Sequence, residues 1–307
     1  MGNRAYEFVQ LDVFTQRPLE GNPLAVFPDA RGLSDAEMQA VAREMNLSET
    51  TFVLPRDAGV EVREGKKVRI FTVEAELPFA GHPTLGTSLY LYASEPDQTK
   101  PAEITLDLKA GKIPVRFTAN PEHAGPGRVD GQVFGEMRQR DPEFGTPLSR
   151  EDVARVVGIA VDEISPEWPI QPVSTGLTFT IVPFRNQQTL SDLKFSYIQA
   201  AEFLRDSGAN FFYFLCPERR DGRLNARARM FFYGGEDPAT GSAAGCAASW
   251  MVQHGVAKND EKVVIRQGNE CRRPSEMHVC AKREAGRVID VRVGGYAVEI
   301  LRGTVVL

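Results

Sequence analysis

Apolar and polar positions alternate over much of the chain, and each alternating stretch predicts a strand. Residues 6–14 alternate and are rich in β-forming side chains. Gly21-Asn22-Pro23 marks a turn, and Leu24-Ala25-Val26-Phe27 reads as a short buried strand. Residues 50–54, 68–73, 178–182, 211–215 and 226–232 read as further strands, and 104–108 with 113–118 as a hairpin about Ala110-Gly111. From residue 262 to the C-terminus nearly everything is strand and turn. Ser34-Asp35-Ala36-Glu37 has capping-box spacing, so a helix is expected from there to about Asn46. Ser149-Arg150-Glu151-Asp152 opens a second helix, and residues 195–204 read as a third.

Two predicted helices differ from these. They span about 83–92 and 239–254, and both are built from small and apolar residues. A helix with so little polar face belongs inside something. Each half of the chain supplies one such helix and many strands, in an order that repeats. The segment 119–130, with two prolines, two glycines and little apolar content, is the best linker between them. The expected organisation is α+β: two similar halves, each a β-barrel-like antiparallel or mixed sheet wrapped around a central helix. The N-terminal half is placed at 1–125, joined by the tail at about 297–307, and the C-terminal half at 126–296.

The starts of the two small-faced helices resemble each other. One is Gly81-His82-Pro83-Thr84-Leu85-Gly86, the other Glu236-Asp237-Pro238-Ala239-Thr240-Gly241-Ser242. Each sets a titratable side chain before a proline, which is favoured at the first position of a helix. A helix N-terminus carries unpaired N–H groups and a partial positive charge, which suit a carboxylate or phosphate.

Composition narrows the function. The chain has 307 residues, 42% hydrophobic and 25% charged, so a packed core is expected. Its net charge of −5 argues against a nucleic-acid or anionic-membrane surface. The one basic cluster, Arg219-Arg220 to Arg229, reads as a solvated hairpin face. No apolar run is long enough for a membrane helix, and the first residues lack a signal-peptide core, so a cytoplasmic location is expected. The four cysteines (Cys216, Cys246, Cys271, Cys280) form no CxxC pair and the four histidines no metal spacing, so free thiols and no metal are expected.

Five segments together carry a family resemblance. They are Asp12-Val13-Phe14-Thr15 with Gly21-Asn22-Pro23-Leu24-Ala25-Val26-Phe27; Ser48-Glu49-Thr50-Thr51-Phe52-Val53; Phe79-Ala80-Gly81-His82-Pro83-Thr84-Leu85-Gly86; Val173-Ser174-Thr175-Gly176; and residues 237–245. In this order, over residues 12–245, they resemble the PhzF-like family of phenazine biosynthesis. The resemblance implies a diaminopimelate epimerase-like fold with its active site in the cleft between the halves, and a homodimer. It implies isomerisation without metal or organic cofactor. By motif, Glu49 matches the catalytic acid/base, His82 and Asp237 its polar partners, and Gly81, Gly241 and Ser242 the substrate-carboxylate site.

The chemistry is consistent with those residue types. A proton shift needs a base for one carbon and an acid for another, and one carboxylate serves both if it reaches both. Glu49 stands where a helix end passes into an apolar strand, where desolvation would raise its pKa and strengthen it as a base. Taken alone, Glu49 also fits a surface glutamate, His82 a turn histidine and Asp237 a helix N-cap. Diaminopimelate epimerase uses two thiols at these helix starts; here the nearest, Cys246, lies a turn further in, so two-thiol racemisation is not expected. The leading expectation is a cofactor-independent isomerase acting on a small carboxylate-bearing metabolite through Glu49. The alternatives are an epimerase or racemase using Glu49 and Asp237, and a non-catalytic metabolite-binding protein.

Overall fold

The computed structural model describes residues 4–119, 129–233 and 235–307; most of the linker expected at 119–130 lies outside them. Seven α-helices occur among the described residues: α1 (Asp35–Met45), α2 (Ala58–Glu64), α3 (Gly81–Ser94), α4 (Arg150–Val157), α5 (Gln187–Asp192), α6 (Tyr197–Asp206) and α7 (Gly241–Gln253). The rest is mostly strand, so the chain is α+β. None of these helices is long and apolar enough to cross a membrane.

Two compact units divide the chain: Met1–Arg138 with Gly294–Leu307, and Gln139–Val293. The first unit therefore runs past residue 125. The reason is pairing: Val133–Arg138 lies antiparallel to Gly111–Ala119, and Asp130 bridges to Val298 of the C-terminal strand. That last strand, Ala297–Val306, pairs along the whole of Ala5–Val13.

In the first unit the sheet continues from Ala5–Val13 to Asn22–Phe27, then in parallel to Glu49–Val53, and on to Lys66–Phe71. Helix α3 packs against strands from across this sheet, from Ala5–Val13 to Val133–Arg138. Its residues Gly81 to Leu89 are all buried, which is why the sequence there is small and apolar. Gly86 shows the fit most sharply. A Cβ there would stand 2.7 Å from both Leu24 Cδ2 and Val13 Cγ2, closer than carbon atoms pack. The other face of the sheet is covered by α1. Its Met38, Val41 and Ala42 pack over Tyr6, Phe27, Phe52 and Phe71. Phe8, Phe27, Phe52 and Phe71 run across four strands with ring centroids 5.0–5.6 Å apart. The capping box expected at Ser34 is present, and Asn46 closes α1 in the left-handed conformation at φ 52°.

The second unit repeats the scheme. Helix α7 packs against Gln171–Ser174, Thr178–Pro183, Phe211–Arg220 and Ser275–Glu284. It is buried from Gly241 to Val252, with Trp250 donating its indole N–H to Pro169 O. The outer layer is α4, α5 and α6 over Phe184, Phe212 and Phe214. The basic hairpin departs from its expected solvated character at one end. Arg219 is exposed and paired with Glu261, but Arg229 is buried. Its guanidinium forks onto Glu236 and caps the carbonyls of Leu190, Ser191 and Leu193 at the end of α5. The four cysteines are free thiols; Cys216, Cys246 and Cys280 are buried and Cys271 half-buried.

Candidate active site

Both small-faced helices begin without the usual N-cap. Ala80 precedes α3 and has no side chain able to cap it. Thr240 precedes α7 but makes no side-chain cap bond. Their first-turn N–H groups are thus left without a local side-chain acceptor, as an anion site requires. The prolines do not occupy the first helical position expected of them. Pro83 is the third residue of α3, and Pro238 lies three residues before α7. Asp237 is accordingly not the N-cap of α7.

In the first unit, Gly81, His82 and Glu49 gather at the head of α3. Glu49 opens the strand Glu49–Val53 and pairs with Leu24. Side chains on a strand alternate faces, so Thr51 shares the face of Glu49. The Thr51 hydroxyl lies 2.8 Å from that of Thr87 on α3, which ties strand to helix. His82 Nδ1 then stands 3.5 Å from Glu49 Oε2, with 5% and 16% of their side chains exposed. The Pro23 carbonyl is the other partner of the ring. Both partners are acceptors, so the ring proton belongs on Nδ1 and Nε2 is left as an acceptor. Nε2 is buried and has no hydrogen-bond partner among the described residues. Burial lowers the His82 pKa to about 3, against which the Pro23 bond works only in part. The imidazole is therefore neutral at pH 7.

In the second unit, Asp237, Gly241 and Ser242 gather at the head of α7. The turn carrying Asp237 is pinned by its N–H to Met230 O. The Thr240 hydroxyl donates to Asp237 Oδ2 at 2.6 Å. Gln267, at the end of the strand Val263–Gln267, reaches both residues. Gly268 follows at φ +84°, where a Cβ would lie 2.6 Å from Pro238 O and 2.2 Å from Arg273 O; only glycine lets the chain turn there. On another side, Gln139 Nε2 donates to Gly241 O and its Oε1 accepts from Thr175. A side chain at Gly245 would meet Gln139 Oε1 at 1.9 Å. Thr51, Thr87, Gln139, Gln267 and Tyr213, whose hydroxyl lies 3.1 Å from Gln267 Oε1, were not singled out by sequence reasoning. Thr51 and Thr175 lie inside the quoted motifs, but an isolated Gln or Tyr in a strand gives no periodic signal.

Among the described residues no cluster of three or more His, Cys, Asp or Glu is arranged to hold a metal. The thiol nearest the head of α7, Cys246, is fully buried against Leu177 O and Thr175 Oγ1. Burial pushes it up to about 11.

Comparison with known proteins adds four findings. The family model of phenazine biosynthesis-like proteins matches residues 11–303. A trans-2,3-dihydro-3-hydroxyanthranilate isomerase of Pseudomonas chlororaphis is 36% identical over 307 residues, covering 98% of this chain and 100% of that one. A solved structure from Pseudomonas aeruginosa, described as a predicted epimerase, is 34% identical with TM-score 0.79, covering 98% and 99%. At the level of fold alone, a hydroxyproline epimerase from Agrobacterium vitis aligns with TM-score 0.63 at 12% identity, over 99% and 93%. The architecture is thus the diaminopimelate epimerase-like fold.

Proposed function

The chain belongs to the phenazine biosynthesis-like family and is an isomerase of that type, and from this premise we propose that Glu49 is the acid/base of a cofactor-independent proton shift on a small carboxylate-bearing metabolite. The observation that carries the reading is the Glu49–His82 pair. A carboxylate beside an imidazolium would be held as its counter-ion. Beside a neutral imidazole it stays available to take a proton from carbon and return it to another. His82 orients it from Nδ1 and offers Nε2 as an acceptor to a substrate hydroxyl or amine. The first-turn N–H groups of α7 at Gly241 and Ser242, with the Ser242 hydroxyl, suit the substrate carboxylate. Gly81 puts no side chain in front of the head of α3, which leaves its N–H groups open to a ligand. Asp237 supplies a second polar contact.

The isomerase of Pseudomonas chlororaphis supplies the first substrate to test, trans-2,3-dihydro-3-hydroxyanthranilate. Incubation of the protein with it, and with a panel of small amino and hydroxy acids, in deuterated water should show one deuteron entering the turned-over compound by mass. Turnover with no deuteron incorporated would mean that the abstracted proton is handed on without exchange, whereas no turnover and no incorporation with any compound would overturn the proton shift. Incorporation at a stereocentre with inversion would instead indicate epimerisation involving Asp237. The proposal also makes the protein a cytoplasmic homodimer; light scattering tests its dimeric state.

A two-thiol mechanism is not part of this reading. A thiol at about 11 holds little thiolate at neutral pH, and Cys246 faces protein on all its contacts. Cys246→Ala is expected to keep turnover within about twofold, since no bond to substrate is lost. A loss of a thousandfold would restore the thiol to the mechanism.

A further inference from the structure

We infer that Gln267 and Thr240 are positioning residues that fix the carboxyl group of Asp237 through a one-way chain of hydrogen bonds that holds Oδ2 as an acceptor. The inference rests on the proposed role of Asp237 and names the two residues that orient its carboxyl group.

The direction of the chain follows from partners that can act in only one way. Gln267 is buried. One end of its amide lies 2.7 Å from Asp237 O, a carbonyl that only accepts, so this end is the NH2 group. The other end lies 3.4 Å from the Thr240 N–H, a group that only donates, so this end is the carbonyl. Two independent partners thus orient the amide the same way. Tyr213 then has to donate its phenol proton to Gln267 Oε1, at 3.1 Å. Burial holds that phenol well above its ordinary pKa, aided by the nearby Asp237 charge, so the proton is always present.

The second N–H of Gln267 Nε2 points to Thr240 Oγ1 at 2.9 Å. An NH2 group cannot accept, so Thr240 accepts here and its own proton goes elsewhere. It goes to Asp237 Oδ2, 2.6 Å away. The order is Tyr213 to Gln267 carbonyl, Gln267 NH2 to Thr240, and Thr240 to Asp237. A donor aimed at one oxygen of a carboxylate favours the ionised form. This explains why Thr240 sits at the N-cap of α7 yet does not cap it: its hydroxyl is used on Asp237.

Labelling aspartate carboxyl carbons with carbon-13, and assigning the Asp237 signal by its loss in Asp237→Asn, reads this carboxyl in the free enzyme. Tyr213 and Cys271, which also feel the charge of Asp237, stay constant across the variants. Thr240→Val, an isosteric change, is expected to raise the titration midpoint of Asp237 by about one unit, a tenfold change in proton affinity. Thr240→Ser, which restores the hydroxyl, is expected to return it to the parent value. If Thr240→Val does not fold, Thr240→Ala gives the same reading. A midpoint that stays put in the folded hydroxyl-free variant overturns the chain. Solvent-deuterium incorporation into trans-2,3-dihydro-3-hydroxyanthranilate by Asp237→Asn is measured alongside. Undiminished incorporation there sinks the role of Asp237 itself, whatever the titration shows.

Discussion

Glu49→Gln is expected to lower turnover by about a thousandfold while leaving substrate binding nearly unchanged. The size is that of a positioned acid/base, whose removal typically costs a factor of roughly 10² to 10⁴. A thousandfold corresponds to about 4 kcal/mol of barrier. Glutamine keeps the length and the carbonyl oxygen of the side chain, so the Nδ1–H of His82 still finds an acceptor at position 49. The backbone pairing of Glu49 with Leu24 does not involve the side chain and survives. What is lost is the capacity to hold a proton between two carbons. The fall should therefore appear in kcat and equally in kcat/KM. Glu49→Asp separates chemistry from placement. It retains the carboxyl but withdraws it by one methylene, and a misplacement of about 1 Å is worth around a hundredfold. The expected order is parent, Glu49→Asp, Glu49→Gln, read by steady-state kinetics on whichever compound exchanges deuterium. Full turnover in folded Glu49→Gln would remove Glu49 from the mechanism.

Local chemistry was the most legible part of the fold. Ser34 and Glu37 announce α1 because the capping box is a contact within four residues, and Asn46 ends it for an equally local reason. The burial of α3 and α7 was legible from composition, since no polar face is left to meet water. Their exact starts were not. Proline suits any position of a first helical turn, so Pro83 stands third in α3 without cost, and Pro238 belongs to the turn that carries Asp237. The short helices α2 and α5 escaped because six or seven residues hold too little periodicity. Arg229 was misjudged because its partners come from afar in sequence: three carbonyls at the end of α5, nearly forty residues earlier, neutralise its burial together with Glu236. The supports of the candidate site were hidden for the same reason. Gln267 meets Thr240 across 27 positions and Gln139 meets Gly241 across 102. Motif spacing lies along the chain and carries no trace of such pairs.

His82 makes the stability of the first unit depend on acid, and the sign follows from its burial. In the unfolded chain the imidazole titrates near 6.5. In the folded protein burial lowers it to about 3. Between those values the unfolded chain binds a proton that the folded one refuses, so stability is lost as the pH falls below 6.5, and the loss ends only near 3. At pH 5 the gap corresponds to about 2 kcal/mol, at 1.36 kcal/mol per unit. His82→Gln removes this term, because the amide does not titrate. Its absolute stability at pH 7 need not equal that of the parent, since the test is the slope. Urea unfolding of both proteins at pH 7 and pH 5 is expected to show the parent losing about 2 kcal/mol more than the variant. Other groups, such as Glu37 and Glu261, lowered to about 2, titrate alike in both and cancel in the comparison. Equal losses would mean that His82 is protonated in the folded state. The imidazole would then hold Glu49 as its counter-ion, and the argument that makes Glu49 available as a base would fail with it.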